Sequence, residues 1–292
     1  MHPLEVYSYD RPDYPDKISV KRPFIAREFL SEDNFKGLPD SVIERILALP
    51  VHEAVADICN VALYVIGNTF RGIDDGSIKC VKHSAIMHAI MMLTALHSED
   101  GLDTVLEIMR QNDEFAEMHL GALCTEITHY AIYACGLNRV QDIEDYINTP
   151  GLDSFLRCQG SAALAMIAIN YPDRRDEIIA TFRRILDGMV ERLPGQIACD
   201  GNFAGSIMCD LIDIKAVELL PEIKAVFDTG CVDLTVAGNF AAVSRDINAG
   251  TGVINDYRYS LPDIYEQVHQ IIKAPSKNRT PLPATTQTSI LS

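Results

Sequence analysis

The chain contains no tryptophan, few aromatic residues and little positive charge. Of its 292 residues, 25 are Lys or Arg and 41 are Asp or Glu, so the formal net charge is −16. Proteins that bind nucleic acids carry Lys/Arg clusters that neutralise phosphates. The largest basic clusters here are the pairs Arg174-Arg175 and Arg183-Arg184. We therefore expect neither nucleic acid nor an anionic membrane as a partner.

Long apolar runs and paired cysteine motifs are also missing. The longest apolar stretches are interrupted well before the length of a transmembrane helix, so we expect no membrane span. The first residues, MHPLEVYSYDRPDYPD, lack a basic region followed by an apolar stretch, so we expect no signal peptide. None of the eight cysteines forms a C-x-x-C pair, and most lie in apolar helical patterns typical of reduced thiols. We expect a cytoplasmic protein without a cofactor.

Ala, Ile, Leu and Met dominate the apolar positions, which favours helices. Apolar residues recur with helical spacing from about residue 40 to 272, and we expect an α-solenoid over residues 38–273. Residues 1–37 are rich in Pro, Asp and Tyr without a steady period, which predicts an irregular N-terminal arm. Residues 274–292 are rich in Pro, Thr and Ser, which predicts a disordered C-terminal tail.

The predicted helices come in pairs, and the pairs recur at a period of about 40 residues. The tetrapeptide Gly-Asn-Phe-Ala occurs at 201–204 and again at 238–241. Aligning the first helices on this tetrapeptide predicts five starting points, at His83, Gly121, Gly160, Gly201 and Gly238. Small residues there suit the close approach of adjacent helices. The expected pairs are 82–97 with 101–110, 117–135 with 139–148, 153–170 with 173–191, 201–212 with 215–228, and 238–248 with 261–272.

The repeats resemble HEAT/armadillo-type proteins, in which stacked helical hairpins form an α-α superhelix. More narrowly, residues from about 82 to 248 resemble a bacterial family known only as a domain of unknown function with HEAT-like repeats. The resemblance is carried by NDEFAEMHLGALCTEITHYAIYACG, FLRCQGSAALAMIAI and ELLPEIKAVFDTGCVDL. It implies an all-α solenoid of about five hairpins and brings no established active site with it.

A histidine-rich region offers one hypothesis for chemistry. In repeat register, His88 and Glu126 are equally far from their starting points, and His129 lies one helical turn beyond Glu126. We therefore place these side chains on one face, where they could hold a metal or act as an acid–base group. The alternative is a polar surface stripe, because no H-E-x-x-H spacing supports a metal.

The sequence favours a non-enzymatic scaffold that binds another protein. It contains neither a G-x-S-x-G nucleophile motif nor a phosphate-binding glycine loop. In solenoids the second helices line one long surface, which we expect to expose Glu107 and a set of further acidic residues. A basic or mixed-charge partner is expected to contact Glu144, Asp145, Glu218 and Glu222. The alternative is an enzyme or metal-binding protein that uses His88, Glu126 and His129.

Overall fold

The computed structural model describes residues 7–78, 80–195 and 200–249. Within these ranges the chain is helical and forms no β-strand, which confirms the all-α prediction. No helix in these ranges is both long and apolar enough to cross a bilayer. The helix expected at 261–272 and the tail expected at 274–292 lie outside the described residues.

The helices follow one another with short connections, several of which contain a single turn of 3-10 helix. They are α1 (Pro23–Phe29), α2 (Asp40–Leu47), α3 (Val51–Asp74), α4 (Ala85–Leu96), α5 (Leu102–Met109), α6 (Asp113–His119), α7 (Cys124–Gly136), α8 (Val140–Asn148), α9 (Ser154–Asn170), α10 (Arg175–Arg192), α11 (Gly201–Asp213), α12 (Leu220–Asp228), α13 (Leu234–Ala237) and α14 (Phe240–Ala249).

The helices stack in two layers. In the first layer α3, α4, α7, α9, α11 and α14 each pack against the next. The second layer contains α5, α8, α10 and α12, which fill the spaces alongside, so that α10 contacts α8, α9 and α12. Each unit contacts chiefly its neighbours, and the molecule is therefore an all-α solenoid.

Stacking explains why α4 does not have the amphipathic pattern of a surface helix. Its sequence, AIMHAIMMLTAL, is buried along nearly its whole length because α3 and α7 pack on opposite sides. By contrast, α8 buries only the stripe formed by Val140, Ile143 and Ile147 and its neighbours, and leaves Gln141 and Asp145 in solvent. The helix α4 is therefore buried nearly all round, whereas α8 in the second layer keeps a polar outer face.

Side-chain caps mark the true starts of several helices, and they correct the repeat alignment. A carboxylate or amide oxygen accepts a bond of 2.8–3.0 Å from the backbone N–H three residues ahead at Asn112, Asp153, Asp200 and Asn239. In the first Gly-Asn-Phe-Ala copy the cap precedes Gly201, which opens α11. In the second copy the cap is Asn239, and Gly238 lies outside α14 with φ +83°. The two copies therefore occupy different helical registers.

Gly160 also departs from the predicted register, because it lies inside α9 rather than at its start. A Cβ at Gly160 would come within 2.9 Å of Ile147 Cγ1 on α8, and one at Gly201 within 2.2 Å of the Cys231 carbonyl oxygen. The predicted need for close approach is confirmed at both glycines. Their predicted shared position at helix starts is wrong at Gly160, because the contact there is made by the side of the helix.

The helix expected at 117–135 is broken in the structure. It is divided into α6 and α7 by a 3-10 turn at Gly121–Leu123. Gly121 there has φ +51°, in the left-handed region that favours glycine. The break lets the chain turn between α6 and α7, so a continuous apolar pattern did not give a continuous helix.

The N-terminal arm includes a helix, α1, and packs on the solenoid. Asp57 of α3 is buried, and its carboxylate accepts the backbone N–H groups of Lys21 at 2.7 Å and Arg22 at 2.8 Å. These are donors at the start of α1 that no residue of that helix can pair. One buried carboxylate thereby fixes the arm to the long helix α3.

A buried aspartic acid, Asp210, joins α11 to α9. Burial is the main cause that raises the pKa of Asp210 to about 8, while the hydrogen bond from Ser161 lowers it and the nearby Asp213 raises it. Ser161 Oγ contacts both Asp210 Oδ2 and, at 3.0 Å, the Cys158 carbonyl oxygen. Ser161 donates to the Asp210 carboxyl, and this bond links α9 to α11.

We predict that Asp210→Asn changes how stability depends on pH. The folded pKa lies above the unfolded value of about 3.9, so folding binds a proton between the two. The stabilisation that this bound proton gives the folded state is complete at low pH. It is lost as pH rises through 8, by on the order of 1 kcal/mol per pH unit. Urea unfolding from pH 5 to 8.5 should show that the variant gains stability relative to wild type as pH rises. Parallel curves for the two proteins would contradict the assignment.

Candidate functional site

His88 does not face Glu126 in the structure. Its ring is buried, lies 5.5 Å from the Phe29 ring, and places Nε2 3.0 Å from the Asn34 carbonyl oxygen. A carbonyl only accepts, so Nε2 carries the proton. Burial lowers the pKa of His88 to about 4. The residue therefore acts as a neutral packing and hydrogen-bonding group between α4 and the arm.

His129 and Glu126 lie on α7 and have other surroundings. His129 hydrogen-bonds to the Gln159 side chain on α9 and to the Thr125 backbone, and burial lowers its pKa to about 4. Burial raises the pKa of Glu126. Among the residues that the structure describes, no group of three or more His, Cys, Asp or Glu is placed to hold a metal ion. The repeat register misplaced these groups because the helix starts on which it was based are not equivalent.

The acidic residues predicted to bind a partner take part in a series of ion pairs along the second layer. Arg184 of α10 makes two parallel contacts with Glu144 of α8, at 2.9 and 2.5 Å. Arg183 reaches Glu222 of α12 at 2.6 Å. Arg175 binds both oxygens of Glu218 and holds its pKa below the usual value. Adjacent second helices are thus joined by Arg–carboxylate pairs.

These ion pairs correct the prediction that Glu144, Asp145, Glu218 and Glu222 form an exposed acidic surface. Glu144 is only 6% exposed, so the expectation that it is a surface residue is wrong. Asp145 is exposed and accepts a bond of 2.9 Å from Gln141, and Glu218 is exposed beside its arginine. The four carboxylates were predicted to contact a basic partner, yet three of them, Glu144, Glu218 and Glu222, pair with arginines of this chain.

A cleft of about 430 Å³ lies between α6, α7 and the start of α9. Its walls include Asp113, Glu117, Asp153 and the exposed ring of Phe155. Two of its carboxylates accept backbone N–H groups at helix starts, Asp113 from Glu114 and Asp153 from Leu156. Helix capping accounts for these two acidic groups without a ligand.

The most developed polar site is the surface that carries the N-terminal segment YSYDRPDYP, residues 7–15, here called the arm segment. It has no regular secondary structure, and the exposure of its residues alternates from Tyr7 to Pro12. Tyr7, Tyr9 and Arg11 are half-buried against the solenoid, while Ser8 and Asp10 are exposed. Alternation of this kind is typical of an extended chain lying on a surface.

Glu107 of α5 is the centre of this site. It is only 8% exposed, so the prediction that it is a surface residue is wrong. Its Oε2 accepts from the Tyr9 hydroxyl at 2.8 Å and its Oε1 from the Tyr14 hydroxyl at 2.5 Å. Burial and the bonds to Glu107 raise the pKa values of both phenols, which keeps them protonated as donors.

Gln111, fully buried one turn beyond Glu107, continues the network. Its Nε2 lies within donating distance of three oxygens, the Glu107 carbonyl at 2.7 Å, the Tyr14 hydroxyl at 2.9 Å and Glu107 Oε1 at 3.0 Å. Its Oε1 accepts from Arg11 Nε at 3.0 Å. Since arginine can only donate, this contact fixes the orientation of the amide. The Arg11 guanidinium also lies 3.5 Å from the centre of the Phe70 ring, in cation–π geometry.

Two glycines let the backbone of the arm segment approach. A Cβ at Gly67, in the middle of α3, would lie 2.5 Å from Tyr14 Cβ. Gly151 has φ +73°, and a Cβ there would lie 2.1 Å from Ser8 Oγ. The Gly151 carbonyl accepts the Ser8 N–H at 2.7 Å. We call the surface formed by Gly67, Phe70, Glu107, Gln111 and Gly151 the groove.

Comparison with known proteins identifies the family of the chain. Residues 77–251 match the model of a family described as "Protein of unknown function (DUF1186)". The chain belongs to this family. No curated protein matches it. No solved structure matches it either.

The groove straddles the edge of the matched region. Glu107, Gln111 and Gly151 lie inside the family match, whereas Gly67, Phe70 and the arm segment precede it. Sequence reasoning missed the site, although two signals were present. One was the alternation of Tyr7, Tyr9 and Arg11, and the other was a glycine in the middle of the long apolar helix α3.

The lowered pKa values of His88 and His129 predict a loss of stability in acid. The folded pKa values of His88 and His129 are about 4. The unfolded value is about 6.5. Their contribution is therefore complete above pH 6.5 and is lost as pH falls towards 4. His88→Gln, which keeps a donor for Asn34, should reduce the drop in melting temperature between pH 7 and pH 5. The exposed His52→Gln is the control, and an equal drop in both variants would refute the prediction.

We predict that Gly67→Ala displaces the arm segment while leaving the solenoid folded. The added methyl group clashes with Tyr14 but improves helix propensity by about 1 kcal/mol. Trypsin should cut at Lys17, just beyond the arm segment, at least fivefold faster, with little change in helical circular dichroism. Gly188→Ala is a matched control, because the Cβ there meets only the flexible Arg192 side chain. Equal cleavage rates in the two variants would show that the clash does not release the arm.

Proposed function

We propose that this protein is a scaffold that binds an extended segment of another protein in the groove. The observation that carries the proposal is that the groove already holds an extended segment of the same chain. Six residues lie between the Tyr7 and Tyr14 anchors, and each anchor is held by a specific acceptor in the solenoid. A surface built to hold one such segment has the chemistry to hold another.

The contacts resemble those of peptide recognition rather than of a folded core. Tyr7 donates to the Arg110 carbonyl at 3.0 Å, Ser8 donates to the Gly151 carbonyl, and Arg71 donates to the Pro15 carbonyl at 2.9 Å. Main-chain bonds of this kind contribute affinity, and side-chain pockets on alternate residues contribute specificity. The arm segment makes both kinds of contact while its intervening residues stay in solvent.

Charge favours a basic or mixed-charge partner, as the composition indicates. The groove accepts a guanidinium between Phe70 and Gln111, and Gln111 in turn contacts the carboxylate of Glu107. The outer carboxylates Asp145 and Glu218 are exposed along the second layer and could contact flanking basic residues of the partner. In this proposal the protein is a cytoplasmic, HEAT-like bacterial scaffold and not an enzyme.

The proposal is tested by comparative affinity capture from the cells that express the protein. Three full-length baits are used: wild type, a Tyr9→Ala/Tyr14→Ala form that frees the groove, and that form with Gly67→Ala added. We expect proteins that are enriched on the second bait, because the arm no longer competes, and lost on the third, because the groove is narrowed. Circular dichroism first establishes that all three fold.

Mass spectrometry identifies the captured proteins. Identical sets on the three baits would exclude the groove as the binding surface. An additional bait with Asp145→Lys tests whether the exposed carboxylates of the second layer bind the partner independently of the groove. Asp145 lies on α8, and the hydrogen bond described for its carboxylate comes from Gln141.

A further inference from the structure

We infer that the groove selects segments with the pattern Tyr-x-Arg-x-x-Tyr, with both tyrosines unphosphorylated, and that the arm segment competes with such segments for it. The inference rests on the proposed function, because it names the ligand chemistry and the regulation of the same groove. It follows from what each anchor of the arm segment contacts.

The two tyrosine positions require neutral donors. Glu107 can only accept, and its two oxygens take the hydroxyls of Tyr9 and Tyr14. Phenylalanine at either position would leave a nearly buried carboxylate oxygen without that donor. A phosphate there would set a dianion against the carboxylate. The acceptor therefore distinguishes tyrosine from both phenylalanine and phosphotyrosine.

The arginine position requires a flat cation with a directed donor. Arg11 lies against the Phe70 ring and at the same time donates from Nε to Gln111 Oε1. Lysine has no second donor along its stem and no planar group to stack on the ring. Because Gln111 is fully buried, an unmatched Oε1 would lack access to water as a replacement.

The spacing is set by the alternation of the extended chain. Tyr9 and Arg11 are two residues apart and both face the solenoid, while Asp10 between them is exposed. Tyr14 returns to the opposite oxygen of Glu107 after Pro12 and Asp13, which are exposed. A segment with a different spacing would place one of the three side chains in solvent.

The arm segment is a strong competitor because it is tethered. A short tether gives an effective concentration on the order of millimolar. An external segment with similar contacts therefore binds wild type weakly until the arm leaves. Phosphorylation of Tyr9 or Tyr14 would weaken the arm through the same repulsion and free the groove for an unmodified partner.

The test is fluorescence anisotropy with a labelled decapeptide of sequence YSYDRPDYPD and full-length protein. The peptide should bind the Tyr9→Ala/Tyr14→Ala protein at least tenfold more tightly than wild type. Adding Gly67→Ala to that protein should remove the gain. Peptides carrying phosphotyrosine or phenylalanine at the Tyr14 position, or lysine at the Arg11 position, should bind at least fivefold more weakly, and the Asp10→Asn peptide should bind unchanged.

A second measurement applies if the double variant does not fold. With wild type, excess unmodified peptide should speed tryptic cleavage at Lys17 by displacing the arm, and the phosphopeptide should not. Equal effects of the two peptides, or equal affinity for wild type and the double variant, would overturn the inference. If the peptide binds but the capture experiment yields no partner, the proposed function alone is contradicted. If partners are captured but the peptides bind without selectivity, this inference alone is contradicted.

Discussion

The rest of the structure depends on the burial of first-layer helices between two neighbours. A single helical hairpin cannot cover its own apolar face, so each unit is stable only when the next one packs on it. The helix α4 shows the consequence, since α3 and α7 cover it from opposite sides and nearly every residue is buried. Glycines such as Gly160 and Gly201 allow this packing, because neighbouring elements approach them so closely that a side chain would not fit.

The second layer has a different chemistry, in which arginines of α10 join its neighbours. Exposed ion pairs contribute little, about 0 to 1 kcal/mol each. The Arg184–Glu144 pair differs because its carboxylate is nearly buried, and removing the arginine alone would leave a charge without compensation. Three of the four carboxylates that were predicted to contact a partner are therefore paired with arginines of the protein itself.

The groove combines features of both layers with the N-terminal arm. The helix α3 contributes a glycine and a phenylalanine, α5 contributes Glu107, and Gln111 follows α5 directly. A carboxylate that accepts two phenols, with a glutamine oriented by an arginine, is a fully matched polar network, and such networks specify one arrangement strongly. The family to which the chain belongs has no described function, and this network is the feature from which we derive one.

The sequence by itself determined the helical class, the pairing of helices and several boundaries, because these depend on local periodicity and caps. The helix at Asp40–Leu47 is an example, as its stripe of Val42, Ile43 and Ile46 and the following Pro50 are local signals. Only the tertiary structure decided which polar groups are buried. Glu107 and Glu144 look like surface residues in sequence, and His88 looks like a neighbour of Glu126, but each takes partners far away along the chain. A residue's periodicity shows which face of a helix it occupies, whereas burial depends on which other segment covers that face, and the covering arm carries no helical period to reveal it.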